Sequence, residues 1–340
     1  MNHRIDYTAY LLLNAEPAHK PGFPCGILTA LFLICICHAP VPAQVKFQRA
    51  YGGTATEGGR GLLIDTDGNY LLSGFTNSYG ATYADAYLVK VSASTGDTLW
   101  TRVSDVTTDQ YGANVALVSG GGYIQVGQVR DGTAGNSRYH LSLVKLDANA
   151  DTVWSRRYGD GSFNYYGRYV KQTTDGGFIA GYYGIGNGGS ANNDAFVVKT
   201  NSTGDISWQK RWGINSSAKD EAIYSVALTS DGGYAFTGWA NSFGAGGNEC
   251  ILIKTDANGD TLWTRTYGGS SNDACNQVIQ TSDGGYLLAG VTESYDVGSG
   301  DVWVIKTTSD GSVSWTKTFG STDATSYDNA TGAQQTSDGG

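Results

Sequence analysis

The chain has 340 residues, with 49 Gly, 5 Pro, 22 Tyr and 8 Trp. Many glycine turns among aromatic and β-branched runs point to an all-β protein. The formal net charge is −9, and the absence of a basic stripe argues against nucleic acid and anionic lipid as partners.

Residues 1–43 read as a signal peptide. Gly26–Cys37 is an apolar run of 12 residues, too short to span a bilayer. Lys20 precedes it, and Val41-Pro42-Ala43 offers small residues for cleavage before Gln44. Cys25, Cys35 and Cys37 leave with this leader, so the mature chain keeps only Cys250 and Cys275. Export permits a disulfide between them; the simpler expectation is two separate, half-buried thiols.

Residues 44–340 are a repeat. Val45–Tyr51 resembles Trp263–Tyr267 and Trp315–Phe319, so it reads as the last strand of a unit whose beginning is absent. Five full units follow, at about 55–105, 106–159, 160–213, 214–268 and 269–320, and a sixth opens at Ser321 and stops at Gly340 inside its first turn. The sequence therefore reads as truncated. Trp100, Trp154, Trp208, Trp263 and Trp315 step by 54, 54, 55 and 52 residues, each behind Lys90, Lys145, Lys199, Lys254 or Lys306. A fixed period near 50 residues means a repeat architecture with one continuous core.

The fifth unit gives the anatomy. Strand Asn276–Thr281 leads through the turn Ser282–Gly285 to strand Tyr286–Thr292. The loop Glu293–Gly300, strand Asp301–Thr307, the turn Ser309-Asp310-Gly311 and strand Ser312–Phe319 complete it. Four-stranded antiparallel units at this period predict a β-propeller of five complete blades and an incomplete sixth. Val45–Tyr51 would be the outer strand of the blade begun by Tyr327–Gly340, in a ring of at least six.

Antiparallel order puts the short, uniform turns on one face. The longer, variable loops share the other face, where binding residues concentrate on a rigid scaffold. That face holds Tyr79, Tyr83, Tyr165, Tyr166, Tyr183, Trp239, Phe243 and Tyr295. Aromatic platforms among Asn, Ser and Gly suit a glycan or a protein surface, although the simpler reading is that these rings pack loops against the ring.

No catalytic set stands out. After residue 43 the chain has one histidine, His140, which rules out a histidine-built metal centre and argues against a Ser-His-Asp triad. It takes the slot of the recurring acids Asp85, Asp194, Glu249 and Asp301 and reads as a surface substitution. Residues that recur once per unit, including the Lys and the Trp, read as structural. Asp109 and the pair Asp220/Glu221 are the only non-repeating acids that a propeller-type hydrolase or lyase could use. Asp65-Thr66-Asp67-Gly68-Asn69 and Asp256-Ala257-Asn258-Gly259-Asp260 place oxygens as calcium loops do, yet turn chemistry explains the same residues; no cofactor is expected.

The run D-G-G-Y-x-x-x-G, then D-x-x-x-x-K, then G-D-x-x-W-x-x-x-Y-G-G resembles the tandem propeller repeats of large exported bacterial proteins. These are common in Bacteroidetes-like organisms, often ahead of a type IX secretion sorting domain. The resemblance covers about Val45 to Gly340 and implies a secreted or cell-surface location. Asp97-Thr98-Leu99, Asp151-Thr152-Val153 and Asp260-Thr261-Leu262 match the short O-glycosylation pattern of such bacteria. A fainter likeness is to quinoprotein propellers, through the T-G-x-x-x-W runs Thr95–Trp100 and Thr203–Trp208; the Asp that precedes this motif is replaced by Ser92 and Thr200, and no adjacent Cys pair exists. The reading is thus a monomeric, exported propeller that binds a glycan or protein and is not an enzyme. The alternatives are a carbohydrate-active propeller or a structural spacer of a larger surface protein.

Overall fold

The computed structural model describes residues 47–79, 84–104, 108–132, 138–186, 193–213, 220–242, 246–295, 299–321 and 326–340. The leader, Val45, Tyr83 and Phe243 lie outside the described residues. Five four-stranded antiparallel sheets form the blades of a β-propeller, and no helix occurs among the described residues. Blade 1 holds β1 (Glu57–Ile64), β2 (Tyr70–Thr76), β3 (Asp85–Val91) and β4 (Thr98–Val103). Blade 2 holds β5 (Gln110–Leu117), β6 (Tyr123–Arg130), β7 (Tyr139–Leu146) and β8 (Thr152–Tyr158). Blade 3 holds β9 (Phe163–Gln172), β10 (Phe178–Gly186), β11 (Asn193–Thr200) and β12 (Ile206–Trp212). Blade 4 holds β13 (Glu221–Leu228), β14 (Tyr234–Ala240), β15 (Glu249–Thr255) and β16 (Thr261–Tyr267). Blade 5 holds β17 (Asp273–Gln280), β18 (Tyr286–Thr292), β19 (Asp301–Thr307) and β20 (Val313–Phe319). First strands of successive blades touch one another, so they are the innermost strands of the ring.

The repeated residues have identifiable work. Trp100, Trp154, Trp208 and Trp263 each lie against the first aromatic of the next blade's second strand, Tyr123, Phe178, Tyr234 and Tyr286, at 5.7–6.4 Å between ring centres. Tyr158 and Tyr267 donate to the carbonyls of Gly204 and Gly311 in the following blade, both at 2.7 Å. The Lys ammonium does something the sequence did not suggest: it stays within its own blade. Lys199, Lys254 and Lys306 pair with Asp175, Asp231 and Asp283 of the Asp-Gly-Gly turn at 2.7–2.8 Å. Each also donates to the carbonyl after it, on Thr200, Thr255 or Thr307.

Each innermost strand carries a bulge, at Arg60, Ala113, Arg168, Tyr224 and Asn276. A bulge adds one residue and bends the strand. Opposite it, a side chain at Gly74, Gly127, Gly238 or Gly290 would collide with the facing carbonyl of Gly58, Tyr111, Ala222 or Ala274. That close approach explains the last Gly of the repeated D-G-G-Y-x-x-x-G run.

The expectation of separate thiols is corrected. Cys250 at the start of β15 and Cys275 on β17 form a disulfide that ties blade 4 to blade 5. Neighbouring blades pack these strands together, which linear spacing does not reveal. Among the described residues the two end segments form no paired strand; residues 47–51 of the outer strand expected for Val45–Tyr51 are irregular, and residues 45 and 46 lie outside the described residues. Their contacts nevertheless follow the repeat. Phe47 packs at a tilt against Tyr70 and Tyr51 donates to the Gly96 carbonyl, as the outer-strand Trp and Tyr do elsewhere. Gln335 accepts from Ser282 N–H at 2.9 Å, as Gln172 and Gln280 do for Ser119 and Ser230.

Candidate functional site

The acids considered for chemistry turn out to recur. Asp109, Asn164, Asp220 and Asn272 each precede an innermost strand's first anchor and accept from a backbone N–H at the third strand of the preceding blade. The partners are Ala84, Tyr139, Asn193 and Asn248, at 2.6–3.3 Å. Glu221 likewise sits where Glu57 and Asp273 sit. Glu57 accepts from Gly53 N–H at 3.2 Å and from the Thr76 and Ser78 hydroxyls. Asp273 repeats the set with Gly269, Thr292 and Ser294. Burial alone would raise the Glu57 carboxyl, but the Ser78, Gly53 and Thr76 hydrogen bonds outweigh it and hold the group low. Asp109, Asp220, Glu57 and Asp273 thus latch blades and loops together and Glu221 shares the register of the last two, so the reading of Asp109, Asp220 and Glu221 as non-repeating is corrected.

The candidate calcium loops are occupied by turn chemistry. Asp256 accepts from the Asn258 and Asp260 N–H groups at 2.9 and 2.8 Å. Asp65 pairs with Lys90 and accepts from Tyr123. His140 lies 3.5 Å from Asp131. Asp194, one of the recurring acids, pairs with Arg211 of the outer strand at 2.6 Å.

The aromatic candidates divide by position. Tyr165 is 2 % exposed and belongs to the core. It takes the anchor position where Glu57 and Asp273 stand, and Gly184 leaves room for its ring where those blades have Thr76 or Thr292. Tyr79 and Tyr295 are exposed but lean on Tyr87 and Trp303 of their blades' third strands. They staple loops to the periphery. Tyr166, Tyr183 and Trp239 instead come together with four rings the sequence reading did not single out: Phe75, Tyr111, Tyr139 and Tyr224.

These seven rings form an arc along the inner rim, on the face of the variable loops. Ring centres are 5.1 Å apart for Phe75–Tyr111, 6.3 Å for Tyr111–Tyr139 and 5.7 Å for Tyr139–Tyr166. Tyr166 and Tyr183 stack at 5.1 Å, and Tyr183 meets Tyr224 at 6.4 Å. The Trp239 indole N–H donates to the Tyr224 oxygen at 2.8 Å. All seven are half-buried: part of each is covered and part is open. Burial, reinforced by the Asp109 carboxylate, pushes the Tyr139 phenol up to about 12, so this ring is uncharged over the ordinary pH range. Arg168 stands within it, its guanidinium 4.9 Å from the centres of both Tyr183 and Tyr224. Half-open neutral rings at this spacing offer stacking faces and hydroxyls to a flat, polar ligand.

No protein-family model matches the chain, and no curated protein matches it. Solved structures do. The chain superposes on the Hadza microbial sialidase Hz136 with a TM-score of 0.50 at 12% identity, over 76% of its own length and 58% of the sialidase's. It also matches the endo-arabinase from Bacteroides thetaiotaomicron VPI-5482, with a TM-score of 0.42 at 11% identity, covering 73% of this chain and 93% of that one. The sialidase likeness establishes the propeller fold. It also corrects the expectation that the chain is not an enzyme, because a solved propeller on which it superposes is named as one. Among the described residues no helix is long and apolar enough to cross a membrane.

Proposed function

We propose that the protein is a carbohydrate-active propeller that takes a glycan chain along the aromatic arc of blades 1–4. The continuity of that arc carries the reading. Seven half-buried rings run from Phe75 to Trp239 along the inner rim, and sugar rings stack on such faces while their hydroxyls bond to phenols. The name of the solved neighbour on which the chain superposes at a TM-score of 0.50, a sialidase, points the same way. The buried Cys250–Cys275 disulfide supports an oxidising, exported setting, where polysaccharides are met.

The test is calorimetric titration with soluble arabinan, galactan, β-glucan and pectin, for wild type and a Tyr166→Ala/Tyr183→Ala double variant. At least one polymer binds wild type, and the double variant binds it about tenfold more weakly, as two stacking contacts of about 0.5–1.5 kcal/mol predict. Release of reducing ends from the bound polymer distinguishes cleavage from binding alone. Silence towards all four polymers, or unchanged affinity in the double variant, refutes the assignment.

A further inference from the structure

Arg168 is the bulge residue of the innermost strand of blade 3, so it projects out of the strand's ordinary alternation. Its guanidinium lies between Tyr183 and Tyr224, and its Nη2 donates to the Tyr183 oxygen at 3.2 Å. The Nε is buried without a hydrogen-bond partner. Among the described residues no carboxylate pairs with it. That sets it apart from its neighbours: Arg130 is paired with Asp109, Arg211 with Asp194, and Lys199 with Asp175.

A guanidinium has five donors in a rigid planar fork and keeps its charge at every working pH. Here two aromatic planes fix that fork, one donor goes to a phenol, and no acid neutralises it. Holding a desolvated, unpaired charge at a ligand-lining position has a chemical use when the ligand supplies the anion. A planar carboxylate matches the fork, and charge-assisted hydrogen bonds are about twice as strong as neutral ones.

We infer that the arc is specific for acidic glycans, with Arg168 receiving the carboxylate of a uronic-acid-type sugar while Tyr166 and Tyr183 stack the neighbouring ring. This rests on the glycan reading above and adds the charge class of the ligand. The overall charge of −9 disfavours polyanions at long range, so the preference is local and strongest where salt screens the surface but not the arc.

The experiment measures affinity for polygalacturonate, for the same polymer after carboxyl reduction, and for a sulfated glycan, at 150 mM salt. Wild type prefers polygalacturonate over its reduced form by about ten- to hundredfold, which is what a charge-assisted pair contributes. Arg168→Gln brings the ratio of the two affinities to about one; Arg168→Lys keeps the charge without the fork and retains only part of the preference. Sulfated glycan bound as well as polygalacturonate would overturn the carboxylate assignment. Equal wild-type affinity for the two galacturonan forms, or an unchanged ratio in Arg168→Gln, would overturn the role of Arg168 while leaving glycan binding intact. Binding to none of the three overturns the acidic-glycan assignment, and the glycan reading falls with it only if arabinan, galactan and β-glucan also fail to bind. Arg168→Lys serves as the variant if Arg168→Gln does not fold.

Discussion

Breaking the Cys250–Cys275 bond is the sharpest test of how the ring is held. Both residues are fully buried, and the bond joins strands of different blades. Closing a loop at a separation of 25 residues removes denatured-state entropy equivalent to about 3.5 kcal/mol at 25 °C in the chain-entropy relation. A Cys250→Ala/Cys275→Ala variant should therefore unfold at lower guanidinium concentration, with a free-energy loss of about 3–4 kcal/mol. Because neither sulfur reaches solvent, reducing agent alone should leave the native protein unchanged; reductant plus denaturant should reproduce the variant. Thiol titration of the denatured, unreduced protein should find no free thiol from these two residues. A loss below about 1 kcal/mol, or two titratable thiols, would refute the account of a covalent tie between blades 4 and 5.

The remaining expectations concern the repeated residues. Burial alone would raise the Asp175 and Asp231 carboxyls, but Lys199 and Lys254, with the neighbouring Thr hydroxyls and Gly N–H groups, bring both down to about 2. A folded value below the unfolded value of about 3.9 means the stabilisation is complete above pH 4 and lost as pH falls to about 2. Both carboxylates are largely exposed, so each contributes about 1 kcal/mol or less; Asp231→Asn should flatten the fall in melting temperature between pH 4 and 2, and an equally steep fall in that variant would contradict the pairing. Gly290→Ala drives a methyl into the Ala274 carbonyl and should cost about 3 kcal/mol or more, whereas Gly284→Ala meets no atom and should lose only the smaller amount due to its positive φ; equal losses in denaturant melts would be inconsistent with the close approach. Trp263→Ala removes the contact with Tyr286 and the Arg265 stack and should cost about 3 kcal/mol, read in the same melts; a change within 0.5 kcal/mol would deny it an interblade role.

What the sequence disclosed and what it hid follow from one cause. The Asp-Gly-Gly turns, the Lys and the Trp recur, and recurrence exposes a residue tied to the ring. Tyr165 and Tyr166 are adjacent and chemically alike, so composition cannot separate them. Strand alternation sends one into the core and the other to the rim. Arg168 and Tyr224 were harder still, because a bulge residue breaks the period of two on which any face assignment depends. Phe75 and Tyr139 look like ordinary strand residues until neighbouring blades bring them against Tyr111 and Tyr166. Asp109 and Asp220 misled in the opposite direction: Asn164 and Asn272 do the same work with a different residue type, so the repeat was invisible to an eye following carboxylates.

The site therefore has to be sought where the repeat fails, and it fails unevenly. One place after each innermost strand's anchor stand Gly58, Tyr111, Tyr166, Ala222 and Ala274. The bulge positions hold Arg60, Ala113, Arg168, Tyr224 and Asn276. Near the end of each second strand stand Phe75, Gln128, Tyr183, Trp239 and Val291. Blade 5 supplies Ala, Asn and Val, while blade 3 supplies two tyrosines and the arginine between aromatic planes. Ring assembly sets no demand on these three positions, since the first holds Gly, Ala or Tyr, the second Ala, Asn, Arg or Tyr, and the third Val, Gln, Phe, Tyr or Trp. Their clustering on blades 1–4, with the density greatest on blade 3, is thus free to reflect a ligand that lies across one side of the rim rather than one threaded symmetrically down the axis.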